Sequence, residues 1–158
     1  MTDPMTSFLS FQKEFKNKEI DPQKCQLGEN LYMLQDDADG AFRMTYAKIT
    51  GKEVIAAVSF ILVEPLNGSP CFAAGYAVDP GHRKQGIGTS LLKEAIDEIT
   101  QGLAKHADGH FYIEAVVGVG NTASNKISQN VLKVPGKRIV DQVSGEDAFQ
   151  YIKLIELA

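Results

Sequence analysis

Only two cysteines, Cys25 and Cys71, occur in the 158 residues. They stand far apart and form no metal-ligand spacing. A disulfide between them is open in principle, but two idle thiols in a reducing compartment are the expectation. Positive charge is also short. Sixteen Lys and Arg face twenty Asp and Glu, for a net charge of −4. That balance argues against a protein that works by neutralising many nucleic-acid phosphates. It leaves room for a small basic pocket around one anion. Long apolar runs are missing too. The longest, "VIAAVSFILV" at 54–63, is too short to span a bilayer as a helix. The start, "MTDPMTSFLSFQKEFK", carries Asp3 early and lacks a basic stretch followed by apolar residues, so it does not read as a secretion signal. No repeat, low-complexity tract or linker divides the chain. The expectation is one cytoplasmic domain over 1–158, with neither nucleic acid nor membrane among its partners.

What is present is ordinary globular material: 44% hydrophobic and 23% charged residues. Phe8, Phe11 and Phe15 share one helical face over about 5–18. "NLYMLQD" (31–37) and the alternating "AFRMTYAKI" (41–49) read as strands around the turn "DADG". "EVIAAVSFILVEP" (53–65) is β-branched and apolar on both faces, which suits the interior of a sheet. "CFAAGYAV" (71–78) is a fourth strand. The short connections imply an antiparallel meander.

The period then changes. Ile87, Leu91, Leu92, Ala95, Ile96, Ile99 and Leu103 recur at helical spacing, with Lys93, Glu94, Asp97, Glu98 and Gln101 opposite. "FYIEAVV" (111–117) is a strand, and a helix over about 122–132 sets Ala123, Ile127 and Val131 on one face. "PGKRIVDQV" (135–143) and "FQYIKLIEL" (149–157) read as closing strands around "SGED". Strand, helix, strand over 71–117 is a right-handed crossover, so those two strands should be parallel. The predicted class is α+β: a mixed, mostly antiparallel sheet flanked by helices.

One stretch carries chemistry. "HRKQGIGTSLL" (82–92) sets Gly86 and Gly88 at the opening of the long helix, just after basic side chains. A helix N-terminus presents unpaired N–H groups and the positive end of its dipole. Two absent side chains would let a phosphate approach them. Arg83 and Lys84 add charge, and Thr89 adds a hydroxyl. Spacing alone leaves a plain turn equally open. The dinucleotide fingerprint needs a third glycine where Leu91 stands, and no Gly-Lys-Ser/Thr run occurs.

The full context, "VDPGHRKQGIGTSLL" (78–92), resembles motif A of the GNAT superfamily of N-acetyltransferases, Gln/Arg-x-x-Gly-x-Gly/Ala after a strand and an acidic-Pro turn. "IEAVVGVGNTASNKIS" (113–128) resembles the second half of that family's acyl-CoA site, where Asn-x-x-Ser/Ala opens a helix. Its form is similar to the branch that acetylates protein N-termini, ribosomal ones included. The likeness covers roughly 41–132; the first 40 residues match weakly.

The resemblance implies acetyl-CoA as co-substrate, no metal, and an acyl-CoA cleft between two splayed parallel strands. It implies that the backbone at Ala77 and Val78 bonds the pantetheine arm. Arg83, Lys84, Gln85, Gly86, Ile87, Gly88 and Thr89 then cradle the pyrophosphate. Asn121 and Ser124 touch the arm from the other side. A backbone N–H near Val78 polarises the thioester carbonyl. Many relatives carry a tyrosine seven residues after the motif asparagine as acid to the thiolate. Here that residue is Ser128, whose hydroxyl can hold a water. The usual Gly-Phe after the helix is replaced by "KVPGKR" (133–138).

Glu114 is the expected base, because strand alternation sets it with Tyr112 and Val116 on one face of an apolar strand. Tyr76, on the strand leading to the cleft, is either a substrate contact or a core aromatic. His82, Glu53 and Glu64 read as surface residues. The expected reaction is direct attack of a primary amine, small or peptide N-terminal, on the thioester. The alternative is a catalytically silent CoA-binding sensor or interaction module, and a longer acyl donor also stays open. The C-terminal strand offers an edge for a homodimer.

Overall fold

The computed structural model describes residues 3–107 and 109–157. Helix α1 (Pro4–Lys16) opens the chain. Asp3 caps it by accepting the Met5 N–H, Pro4 takes the first helical position, and Lys13 and Lys16 sit at the negative end of its dipole. Strands β1 (Gln23–Lys24), β2 (Leu31–Ala38), β3 (Ala41–Thr50), β4 (Glu53–Leu66) and β5 (Ser69–Val78) then run back and forth. A 3-10 turn at Pro80–His82 leads into α2 (Ile87–Ala104). Then come β6 (His110–Gly118), α3 (Thr122–Leu132), β7 (Lys137–Val140) and β8 (Asp147–Glu156).

The eight strands form one sheet in the order β1-β2-β3-β4-β5-β6-β8-β7. Every pair is antiparallel except β5 with β6. The expected meander, crossover and α+β class are therefore present. α1 covers one face, where Phe8 and Phe11 pack with Ala47, Ile49, Val54, Ala57 and Ala77. α2 and α3 cover the other, where Leu91, Leu92, Ala95, Ile99 and Leu132 meet Val58, Phe60, Phe72, Ile113 and Tyr151. β4 is buried on both faces from Val54 to Val58, as a strand with no polar face must be.

Three sequence expectations change. The strand expected at 135–143 pairs only over Lys137–Val140: before it Gly136 abuts the Tyr151 ring, where a Cβ would lie 2.9 Å from ring atoms, and after it Asp141 enters a turn, its N–H donating to the Glu146 carbonyl and its carbonyl accepting from the Gly145 N–H. The buried line of α3 is Asn125, Ser128 and Leu132, while Ala123 is exposed and Ile127 and Val131 are half-buried. Two polar residues can occupy that line because each finds a hydrogen-bond partner within the fold. The edge that β8 offers for a homodimer is narrowed to the part past Gln150: the strand pairs with β6 over Ala148–Glu156 and with β7 over Asp147–Gln150.

Cys25 and Cys71 are free thiols. Burial pushes Cys25 up to about 12 and Cys71 up to about 11, so both rest protonated. Among the described residues, no helix is long and apolar enough to cross a membrane.

Candidate functional site

The parallel pair β5 and β6 is in register over only four residues, Cys71↔Tyr112 to Ala74↔Ala115. Beyond that, Gly75–Val78 stay paired with β4 and Val116–Gly118 stay paired with β8. Each strand is held by its outer neighbour, so the two part from each other. The backbone groups that a longer parallel ladder would use therefore face a gap. This is the splay that the family resemblance implies, and Ala77 and Val78 lie on its β5 wall.

The N-terminus of α2 stands at the mouth of the gap. The Ser90 N–H takes the Gly86 carbonyl at 3.1 Å as the first intrahelical bond. The amides of Ile87, Gly88 and Thr89 come before any such acceptor. No side chain caps this helix, and its first turn holds no acidic residue. The two glycines serve different ends. Gly86 has φ +73°, with nothing within 4 Å of a Cβ placed on it. Its conformation needs glycine, and the absent side chain leaves free space beside the helix N-terminus. Gly88 is buried, and a Cβ there would lie 2.8 Å from Ile127 Cδ1 and 3.4 Å from Val78 Cγ2. It is absent bulk for helix packing, which corrects the expectation that both glycines clear a path for phosphate.

Arg83, Lys84 and Gln85 are exposed around this loop. Arg83 Nε donates to the Val78 carbonyl at 3.2 Å, which folds the guanidinium back toward the cleft. Asp79 shapes the turn: it accepts from the Gly81 N–H at 3.1 Å, from His82 at 3.2 Å and from Gln12 Nε2 at 3.2 Å. Bonds from Gln12 and then His82 hold its carboxyl below the usual range. Gln12 also donates to the Val54 carbonyl at 2.8 Å, so α1 clasps the loop from beneath. Gln12 carries no signal at the level of sequence, since a lone Gln on a helix has no motif. Glu53 approaches Asp79 and His82, with their ligand atoms within 4.8 Å of one another. Glu53 and Glu64 are exposed, as expected.

On the far side, Asn121 caps α3 by accepting the Ser124 N–H at 3.1 Å. Its Oδ1 is thus committed and its Nδ2 remains for other contacts. Asn125, overlooked in the sequence, ties the end of β6 to α3. Its Nδ2 donates to the Gly118 carbonyl at 3.0 Å and the Asn121 carbonyl at 2.9 Å, and its Oδ1 accepts from the buried Tyr151 hydroxyl at 2.8 Å.

Tyr76 crosses the gap. Its backbone belongs to the splayed part of β5, and its hydroxyl reaches α3. It donates to the Ser124 carbonyl at 2.5 Å and lies 2.6 Å from the Ser128 Oγ. Ser128 is fully buried and therefore does not itself front the cleft. Burial pushes the Tyr76 phenol up to about 12.

Alternation along β6 turns Phe111, Ile113, Ala115 and Val117 into the core under α2 and α3. Tyr112, Glu114 and Val116 face the opposite way. Glu114 is half-buried and accepts from Gln150 Nε2 at 2.7 Å. Glu114 and Tyr76 are thus on opposite faces of the sheet. On the Glu114 face, a groove of about 200 Å³ runs under α1 to Gly75. Ser7, Glu14, Arg43, Thr45 and Ser59 line it.

The model of the acetyltransferase (GNAT) family matches residues 7–127. No curated protein matches the chain in sequence. Among solved structures, an acetyl transferase from Salmonella typhimurium that modifies the N-terminal serine of a 50S ribosomal subunit protein is similar at TM-score 0.52 and 21% identity. The match takes in 72% of this chain and 64% of that one. Mycobacterium smegmatis RimJ, in complex with CoA-disulfide, gives TM-score 0.57 and 16% identity over 73% of this chain and 54% of the other. A spermidine N-acetyltransferase chimera from Vibrio cholerae gives 0.55 and 16% over 73% and 68%. At these identities the likeness is one of fold, and the chain spans less than two thirds of the first two.

Proposed function

The chain belongs to the GNAT acetyltransferase family, and on that premise we propose that it transfers an acetyl group from acetyl-CoA to a primary amine. The observation that carries the reading is the parallel pair that opens after Ala74↔Ala115 beside the uncapped N-terminus of α2. An extended, amide-bearing arm fits where a ladder is left unmade, and an anion fits at uncapped amides. When bound, acetyl-CoA supplies the thioester.

The chain's own groups divide the rest of the work. The amides of Ile87, Gly88 and Thr89, with Arg83, Lys84 and Gln85, hold the pyrophosphate. The backbone of Ala77 and Val78 holds the arm, with Asn121 Nδ2 and the Ser124 hydroxyl opposite. The acceptor enters through the groove under α1, whose polar lining suits a small amine or a peptide N-terminus. Relatives of this fold are named for ribosomal N-terminal serine and for spermidine, which supports the amine class and leaves its member open. Glu114, on the groove's face, takes the ammonium proton directly or through water. Two free cysteines support a reducing, cytoplasmic setting. The edge of β8 past Gln150 supports pairing between two copies.

Acetyl-CoA and CoA should each raise the melting temperature, and a panel of amines and peptides should release free thiol. Glu114→Gln should lower kcat on the order of 100-fold while the shift with CoA persists. A folded protein that shows no shift at millimolar ligand would sink the acyl-CoA reading. A shift without thiol release from any acceptor would favour the silent module instead, which the serine at 128 supports.

A further inference from the structure

Tyr76 is the one described residue whose backbone lies on the splayed end of β5 and whose side chain bonds to α3. Its neighbours on β5 behave differently: Gly75 has no side chain, Ala77 packs under α1, and Val78 packs against Gly88. Tyr76 is half-buried, and its hydroxyl lies between the splayed end of β5 and α3, on the face opposite Glu114. Resting on the acyl-transfer reading above, we propose that Tyr76 is a catalytic residue that donates its hydroxyl hydrogen bond to the departing sulfur of CoA, and that Ser128 is the residue that positions it.

The balance of the step is simple. The amine nitrogen forms a bond to the carbonyl carbon, the carbon–sulfur bond breaks, and its electron pair goes to sulfur. The proton lost by the amine leaves by the Glu114 face. The sulfur leaves as thiolate and takes a proton from solvent on release. Tyr76 does not hand its own proton over. A phenol held up at about 12 lies above an ordinary thiol, near ~8.5, so the proton stays on oxygen and is shared with the sulfur.

Hydrogen counting gives Ser128 its part. The tyrosine hydroxyl has a single hydrogen, directed at rest to the Ser124 carbonyl. The 2.6 Å contact is then a bond from Ser128 Oγ–H to the tyrosine oxygen. When the tyrosine hydrogen swings to sulfur, Ser128 still donates, which fixes the phenol and strengthens it as a donor.

The first readout needs no acceptor amine. The thiol of CoA bound to the protein is titrated by thiolate ultraviolet absorbance, in wild type, Tyr76→Phe and Ser128→Ala, with thermal shift as the control for folding and binding. A donor aimed at sulfur favours the thiolate. The bound thiol should titrate about one unit higher in Tyr76→Phe than in wild type, and between the two in Ser128→Ala. Turnover of Tyr76→Phe should fall on the order of tenfold or more, with KM for acetyl-CoA little changed. Coincident titrations in wild type and Tyr76→Phe, with CoA stabilising both, overturn the role of Tyr76 and leave the acyl-transfer reading standing. Should Tyr76→Phe not fold, a Ser128→Ala curve equal to wild type overturns the pair. No stabilisation of wild type by CoA overturns both readings.

Discussion

Gly86→Glu should lose nearly all stabilisation by CoA while remaining folded. Two effects act together. The αL backbone at φ +73° costs an L side chain about 1–2 kcal/mol, a local strain borne with or without ligand. The carboxylate then sits where the pyrophosphate must reach the amides of Ile87, Gly88 and Thr89, and like charges there oppose binding by several kcal/mol. A loss of at least about 100-fold in affinity follows. At ligand equal to 100 times the wild-type Kd, stabilisation of about 2.7 kcal/mol should shrink to about 0.4 kcal/mol. Thermal melts with and without CoA measure this directly. Gly86→Ala separates the terms, since it carries the strain without the charge and should keep most of the shift. If Gly86→Glu melts with an undiminished shift, the anion binds elsewhere and the assignment of the α2 N-terminus is wrong.

The largest expected effect on stability comes from a residue with no part in any motif. Asn125→Ala removes three hydrogen bonds at once and strands the fully buried Tyr151 hydroxyl, whose remaining contact is Gln129 Nε2 at 3.5 Å. An orphaned buried group costs about 1–3 kcal/mol and the lost bonds add to it, so a loss of about 3 kcal/mol is expected. For a chain of this size that lowers the melting temperature by roughly 6–12 °C. Removing both partners costs less than removing one. Asn125→Ala with Tyr151→Phe should therefore be less destabilised than the two single changes summed. Urea or thermal unfolding of the four proteins completes the cycle. Strict additivity, or a loss below 1 kcal/mol for Asn125→Ala, would contradict the network. The same change should weaken CoA binding, because Asn125 ties the end of β6 to the start of α3 along one wall of the cleft.

How much of this was legible depended on whether the signal was local. The strands over 31–78 announce themselves by alternation and β-branched content, and α2 by seven apolar residues at helical spacing. Both are consequences of one face meeting a core. β1 was not legible: two exposed residues, Gln23 and Lys24, pair with Met33 and Tyr32 at the sheet edge and bury nothing that a pattern would reveal. The apolar face assigned to α3 was turned from the true one, because hydrophobicity ranks Asn125 and Ser128 as surface. Their burial depends on hydrogen bonds that include Tyr151 and Tyr76, which come from strands 26 and 52 residues away.

The candidate site divides along the same line. Glycines before a helix, with Arg83 and Lys84 beside them, mark the proposed anion site within ten residues of chain, and the signal for it is local. The role of Gly88 is not, since the atom that excludes a Cβ belongs to Ile127.

The order of the main elements and the parallel crossover follow from periodicity and from backbone rules that act over a few residues, while the likeness to the family rests on the two motifs at 78–92 and 113–128. How far the parallel pair opens, that no side chain caps α2, which glycine is for conformation and which for packing, and that Tyr76 reaches Ser128 come from the tertiary structure alone. The reason is that burial of a polar group depends on its partner, and here the partners meet only once the sheet has closed around α3.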